Sequence, residues 1–248
     1  MFKKKKPVKL CAYSNDKALV DYFKIAKANR KLPDWFKKLS NNVSPYTGLN
    51  MTGCAGFLDL YAKAFTVPLW SDIDVEIGRI GELQSQAIQH NLKANSSSHP
   101  QSQRGDLWPD EHFQHMKFNS PWVVTCDEEV QFLLIGNQYE NKIPHRVQLA
   151  FGLVEFKYQH DLNANFIFKR EEKRYHETLQ MGDPFMLMIP LTDRPVVIEH
   201  KYVDPDEFLR VASEGRFSFG NHNYLKERKI KREVDAEKSK CPFGFGRK

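Results

Sequence analysis

The chain has 248 residues, 41% of them hydrophobic and 12% aromatic, and carries a net charge of +6. That is enough apolar material for a real core in one large or two small domains, and it excludes a disordered or fibrous chain. Residues 1–9 hold five lysines and no acid, residues 222–248 hold nine Lys/Arg against four acids, and the stretch between is net negative, which argues against a fold with a basic nucleic-acid-binding face.

The first predicted helix covers 15–31, where Leu19, Tyr22/Phe23 and Ala26 recur at helical spacing, Asn15 or Asp16 can cap, and Pro33 stops the run. Residues 34–39 form a short amphipathic turn with Trp35, Phe36 and Leu39 on one face, followed by a Pro- and Gly-punctuated loop over 41–53. A second helix is expected over 54–66, with Phe57, Leu58, Tyr61 and Phe65 as its apolar stripe. Over 67–81, Ile73, Val75 and Ile77 alternate with Asp72, Asp74 and Glu76, the pattern of a half-exposed strand. The polar stretch within 84–110 reads as surface loop.

From 118 to about 202 apolar runs recur at strand length: VQFLLI (130–135), VQLAFGLVEF (147–156), ANFIF (164–168), PFMLMIPL (184–191) and RPVVIEH (194–200). Gly136-Asn137, Asn141, Asn163, Gly182-Asp183-Pro184 and Asp193 bound them as turn formers. Trp122 is expected to be buried at a strand entrance behind Pro121, which cannot donate to a ladder. Residues 204–214 form a short helix with Pro205 early and acids in its first turn. Residues 223–238 have helical propensity but only a thin apolar face of Leu225, Ile230 and Val234. The expected class is α+β, mainly β: an antiparallel β-sandwich or jelly-roll built from 67–81 and 118–202, with the N-terminal helices packed on it. The expected division is a basic tail over 1–14, a domain over 15–221 and a basic arm over 222–248.

Chemical signatures are sparse. Cys11, Cys54, Cys126 and Cys241 lie far apart, with no C-x-x-C and no His at zinc spacing, so they read as reduced thiols of a cytosolic protein. The basic N-terminus is followed by no apolar segment of the secretory type, and no apolar stretch is long enough to span a bilayer. In WPDEHFQHM (108–116), Asp110, Glu111, His112 and His115 cluster, and two histidines three apart could share a helix face. Without H-E-x-x-H spacing, a polar surface turn is the simpler reading. There is no G-x-S-x-G, no thiol-enzyme motif and no phosphate-cradling glycine pattern. Trp70, Phe132, Phe151, Phe156, Phe166 and Phe168 sit at core positions, so packing accounts for them. No catalytic residue, cofactor or metal site is expected.

Two resemblances add to this. GLVEFKYQHDLNANFIF (152–168) followed by LQMGDPFMLMIPL (179–191) resembles the rhythm of the trimeric dUTPase and dCTP deaminase barrels. Glu155 stands where that family has its catalytic Asp, Gln159-His160-Asp161 follow Tyr158 in place of Arg-Gly, and the family's Arg-x-x-Gln is absent, so the resemblance implies a barrel or jelly-roll without the nucleotide chemistry. More broadly, the ordered set LPDWFKKL (32–39), TGCAGFLDLYAKAFTVPLWSDIDVEI (52–77), KFNSPWVVT (117–125), GLVEF (152–156) and MGDPFMLMIPLTDR (181–194) resembles an uncharacterised family of tailed-bacteriophage proteins, T4-like and marine.

That second resemblance implies a phage origin; the acidic body, basic tails, aromatic-rich core and lack of catalytic convergence then fit a non-enzymatic phage component, in the virion or its assembly, located in the particle or the host cytoplasm. Its partners would be other phage proteins, a further copy of itself, or nucleic acid met nonspecifically by the basic tails, and not a membrane. The alternative is a degenerate or unrecognised β-barrel enzyme or small-ligand binder, dUTPase-like or a metal-dependent jelly roll. The candidate docking residues are Lys3, Lys4, Lys5 and Lys6 at one end and Lys226, Arg228, Lys229, Lys231 and Arg232 at the other.

Overall fold

The structure, a computed structural model, describes residues 5–39, 50–82, 88–89, 96–98, 101–103, 105–140, 142–215 and 224–240. In chain order the first half holds β1 (Val8–Ser14), α1 (Lys17–Tyr22), β2 (Ala26–Lys27), α2 (Asp34–Lys38), α3 (Ala55–Lys63), β3 (Phe65–Pro68), β4 (Ile73–Ile77), β5 (Ile88–Gln89), β6 (Ser96–Ser98) and β7 (Phe113–Phe118). The second half holds β8 (Val123–Cys126), β9 (Gln131–Gly136), β10 (Val147–Leu149), β11 (Gly152–Glu155), β12 (Ala164–Lys169), β13 (Tyr175–Leu179), β14 (Pro184–Pro190), β15 (Val196–Tyr202), α4 (Pro205–Glu214) and α5 (Tyr224–Lys240). The class is α+β, mainly β.

The strands form four sheets, ordered β15-β1-β8, β10-β12-β7-β6, β11-β9-β14-β3-β2 and β13-β4-β5. Among the described residues β1 and β15 pair in parallel and every other strand pairing is antiparallel. The five-stranded sheet is apolar on both faces, which explains the near-continuous apolar run of β14. Met186 and Met188 enter the main core with Phe132, whereas Leu187 and Ile189 turn to a second cluster under α2 and α3. A shift of register between Pro184 and Met186 lets Phe185 join the main core beside Met186. Gly182 sits in the turn that enters β14 at φ +88°, and a Cβ there would also meet the Phe23 ring at 2.6 Å.

The helices bury what their spacing promises, over shorter spans. In α3, Phe57 and Tyr61 lie one turn apart and are buried, stacked at 4.4 Å between ring centroids. Phe36 of α2 stacks on Phe57 at 4.6 Å. The expected fourth member of that stripe, Phe65, instead begins β3, and Leu58 is exposed. The expected helix over 15–31 closes at Tyr22. Asp16 caps it by accepting from the amides of Ala18 and Leu19, and Ala26–Lys27 then pairs with β3. That break lets Ile25 reach the main core and Ala28 the second cluster.

The tail assigned to residues 1–14 is corrected for its second half. Residues 8–14 form the middle strand of a sheet, with Val8, Leu10, Ala12 and Ser14 buried. Their alternation was hidden behind the lysine run. The strand system therefore reaches well outside 67–81 and 118–202. Where the sequence placed one strand over 67–81, there are two, β3 and β4, belonging to different sheets. β4 itself behaves as read: Ile73, Val75 and Ile77 are buried, while Asp74 meets His176 and Glu76 meets Arg174 across the ladder to β13. Ser96–Ser98, read as loop, add an edge strand to β7. Cys11, Cys54 and Cys126 are free thiols.

Trp122 is fully buried immediately before β8, and its ring meets the His200 imidazole edge-on at 5.6 Å. Its amide donates to the Ser120 hydroxyl, so the Ser120-Pro121 bend sets the strand entrance. Replacing Trp122 with Ala is expected to cost about 3–5 kcal/mol in chemical denaturation, as for other large buried aromatics. A loss under about 1 kcal/mol would be that of a surface position and would contradict this burial.

Candidate functional site

Two regions stand out by their chemistry: the seat of α5, and a cleft between the two larger sheets. At the first, Glu155 ends β11 and is 3% exposed. A buried carboxylate costs several kcal/mol unless it is paired. The partner is Arg232 of α5, whose Nη2 lies 3.0 and 3.1 Å from the two Glu155 oxygens. Arg232 Nε is also 3.4 Å from Glu129, and its guanidinium stands 5.7 Å from the Tyr158 ring centroid.

Lys157 adds a second link, 3.0 Å from Asp235 of α5 and 3.4 Å from Glu129. A hydrogen bond donated by the Tyr158 hydroxyl is the main reason the Glu129 carboxyl sits below its ordinary range. Burial pulls the Lys157 ammonium down, but hydrogen bonds to Asp235 and Tyr158 outweigh it and raise the group. The charged side of α5 thus faces the body. Ile230 and Val234, one turn apart, are 48% and 42% exposed.

Several of the candidate docking residues have partners within the chain. Arg232 is committed within the chain, and Lys231 Nζ lies 3.4 Å from the Glu214 carbonyl at the C-terminal end of α4, where a cation is favoured. Lys229 stays exposed, 3.9 Å from Glu233. At the other end Lys5 pairs with Asp193, and the Lys6 carbonyl accepts from Arg194, which in turn grips Glu128 with both terminal nitrogens. Lys226 and Arg228 lie on α5, but their side chains fall outside the described residues, as do Lys3 and Lys4 altogether. Nothing in local sequence spacing could have found the pairing of Glu155 with Arg232, which joins residues 77 positions apart.

The second region is a cleft of about 620 Å³ lined by the end of β9, the turn after it, β10, the crossing at Ala150–Phe151, β12 and Phe185 of β14. Trp35 of α2 closes one side, its indole donating to the Tyr139 carbonyl at 2.6 Å. Gly136 allows the approach of β10, since a Cβ there would come within 3.3 Å of Leu149. Burial pushes the Tyr61 hydroxyl up to about 12, which keeps it a donor, and it donates to Asn137 Oδ1 at 2.9 Å. The Asn137 side chain, 4% exposed, therefore turns its amide NH2 away from Tyr61, and that donor group has no partner among the described residues. Glu140, also buried, accepts from the Lys142 amide, and desolvation raises its carboxyl.

Phe151, read from sequence as core, is 78% exposed at the cleft's rim, because the chain there leaves one sheet for the other. The acid-histidine cluster at 108–116 is a turn followed by β7, not a helix. His115 is buried with Nε2 3.3 Å from Asn165 Oδ1, while His112 stays on the surface. Among the described residues no group of three His, Cys, Asp or Glu is placed to hold a metal. No described helix is long and apolar enough to cross a membrane. No family model and no curated protein matches the chain.

A double-mutant cycle of Arg232→Ala with Glu155→Gln should give a coupling of about 1–3 kcal/mol, with amide exchange accelerating in α5 before the sheets. Glu140 carries a pH signature. A carboxyl raised in the folded state stabilises below its unfolded range, and that stability is lost as pH rises through the folded value. Glu140→Gln should therefore raise the melting temperature at neutral pH, with the gain vanishing near about pH 4, the ordinary glutamate range.

Proposed function

We propose that the protein is a non-enzymatic bacteriophage component, in the virion or its assembly, that docks on neighbouring phage proteins. The phage assignment rests on the ordered motif set across residues 32–194. The docking assignment rests on the orientation of α5. A helix held by charge pairs, one of them onto the buried carboxylate of Glu155, with its apolar pair in solvent, is built to be fixed in place while offering that pair to something else. A helix packed on the body through its apolar face would turn the same residues inward. In this reading the β framework is a sandwich or jelly-roll-like support that holds α5 at a set angle, and the particle or the host cytoplasm is its location.

The test combines composition and assembly. Mass spectrometry of purified particles should find the protein at stoichiometric copy number. Phage carrying Ile230→Glu together with Val234→Glu should incorporate much less of it, while the isolated variant keeps its melting temperature within about 2–4 °C, the shift that 1 kcal/mol produces in a chain of this size. Wild-type protein absent from particles, or full incorporation of the double variant, would contradict the docking role.

A further inference from the structure

We infer that the cleft between the two larger sheets is a receptor for a basic peptide segment carrying an aromatic side chain, presented by a partner protein. The cleft's volume of about 620 Å³ lies in the range of sites that enclose a few side chains. Trp35, Trp108, Tyr139 and Phe151 line it together with the buried Phe166 and Phe185, among aliphatic and a few polar residues. Such walls receive an aromatic side chain by stacking and a cation by the ring faces.

Charge narrows the choice. Among the described residues Glu140 is the one carboxylate in the lining, and no Lys or Arg lines the cleft. Phosphorylated ligands and acidic peptides would meet no Lys or Arg among the described lining residues, and only His145 as a basic side chain. Sugars are disfavoured for another reason: a floor of phenylalanines leaves most of their hydroxyls unpaired once they are desolvated. A simple amine fits Glu140 but leaves the amide NH2 of Asn137, a lining residue whose oxygen is taken by Tyr61, without an acceptor. A peptide supplies all three features at once: a backbone carbonyl for Asn137, a ring for the walls and a basic group for Glu140.

A partner cation would favour the ionised form of Glu140, so the complex should tighten as pH rises through that group's range. The titratable and charged groups around Glu140 enter the balance. Lys142 is paired with Asp183, Asp34 is paired with Lys37, and His145 shares the lining. Because Lys142 and Lys37 already have carboxylate partners, neither is a ready substitute for an incoming cation. Phe151 is the residue to alter first, since its 78% exposure means that folding does not depend on it.

The experiment is calorimetric titration of the full chain with acetyl-Gly-Phe-Gly-Arg-Gly-amide, with the same peptide bearing glutamine or glutamate in place of arginine, and with phenethylammonium, AMP and glucose. The basic peptide should bind saturably and at least about tenfold tighter than the glutamate peptide, a gap of about 1.4 kcal/mol. Phe151→Ala should weaken the arginine and glutamine peptides alike, and Glu140→Gln should abolish the difference between them, with circular dichroism confirming that both variants fold. No saturable binding by about 1 mM, equal affinity for the three peptides, tighter binding of AMP or glucose, or phenethylammonium matching the peptide would each overturn the inference. It does not rest on the phage reading: binding is measured on the isolated protein, and its failure leaves the role of Ile230 and Val234 untouched.

Discussion

Strand β14 must satisfy two apolar layers at once, and most of the architecture follows from that constraint. Its residues alternate between the main core, through Met186 and Met188, and the cluster beneath α2 and α3, through Leu187 and Ile189. A strand with no polar face cannot lie at a solvent boundary, so the chain has to build on both sides of it. Helices α2 and α3 cover one side, and the remaining sheets, with α1, close over the other. The turn that feeds β14 demands Gly182, both for its positive φ and for the Phe23 ring lying against it.

The electrostatics divide into pairs that matter for the body and pairs that do not. Exposed contacts such as that of Lys17 with Asp21 or Lys229 with Glu233 contribute little in water. The pairing of Glu155 with Arg232 is different, because one partner is buried and would be left uncompensated if the other were removed. The consequence is geometric as much as energetic. It decides which side of α5 meets the body, and hence which side carries Ile230 and Val234 into solvent.

The cleft arises from topology. The chain pairs with β12 through β10, breaks at Ala150–Phe151, and pairs with β9 through β11, so two sheets are joined by a crossing that cannot itself be packed. Aromatic rings from α2, from the turn after β9 and from the crossing gather there. They give the cleft a largely apolar lining, in which Glu140 is the one carboxylate among the described residues.

Much of the local structure was legible in the sequence by itself. The alternation of Ile73, Val75 and Ile77, the one-turn repeat of Phe57 and Tyr61, the Asp204-Pro205 helix start and the Pro121-Trp122 strand entrance each depend on residues a few positions apart, and period and turn chemistry reveal them. Other features were decided only in three dimensions. The strand over 8–14 became a core strand because β8 and β15 flank it, although the lysines before it suggested a tail. The helix begun at Lys17 yielded to the free edge of β3. Phe151 left the core because the chain changes sheets there, and Arg232 turned inward because a buried carboxylate 77 residues away needed a counter-charge. The physical reason is the same in each case: local periodicity says which residues prefer burial, but which neighbour supplies the hydrogen bonds, the packing or the opposite charge depends on contacts far apart in the chain.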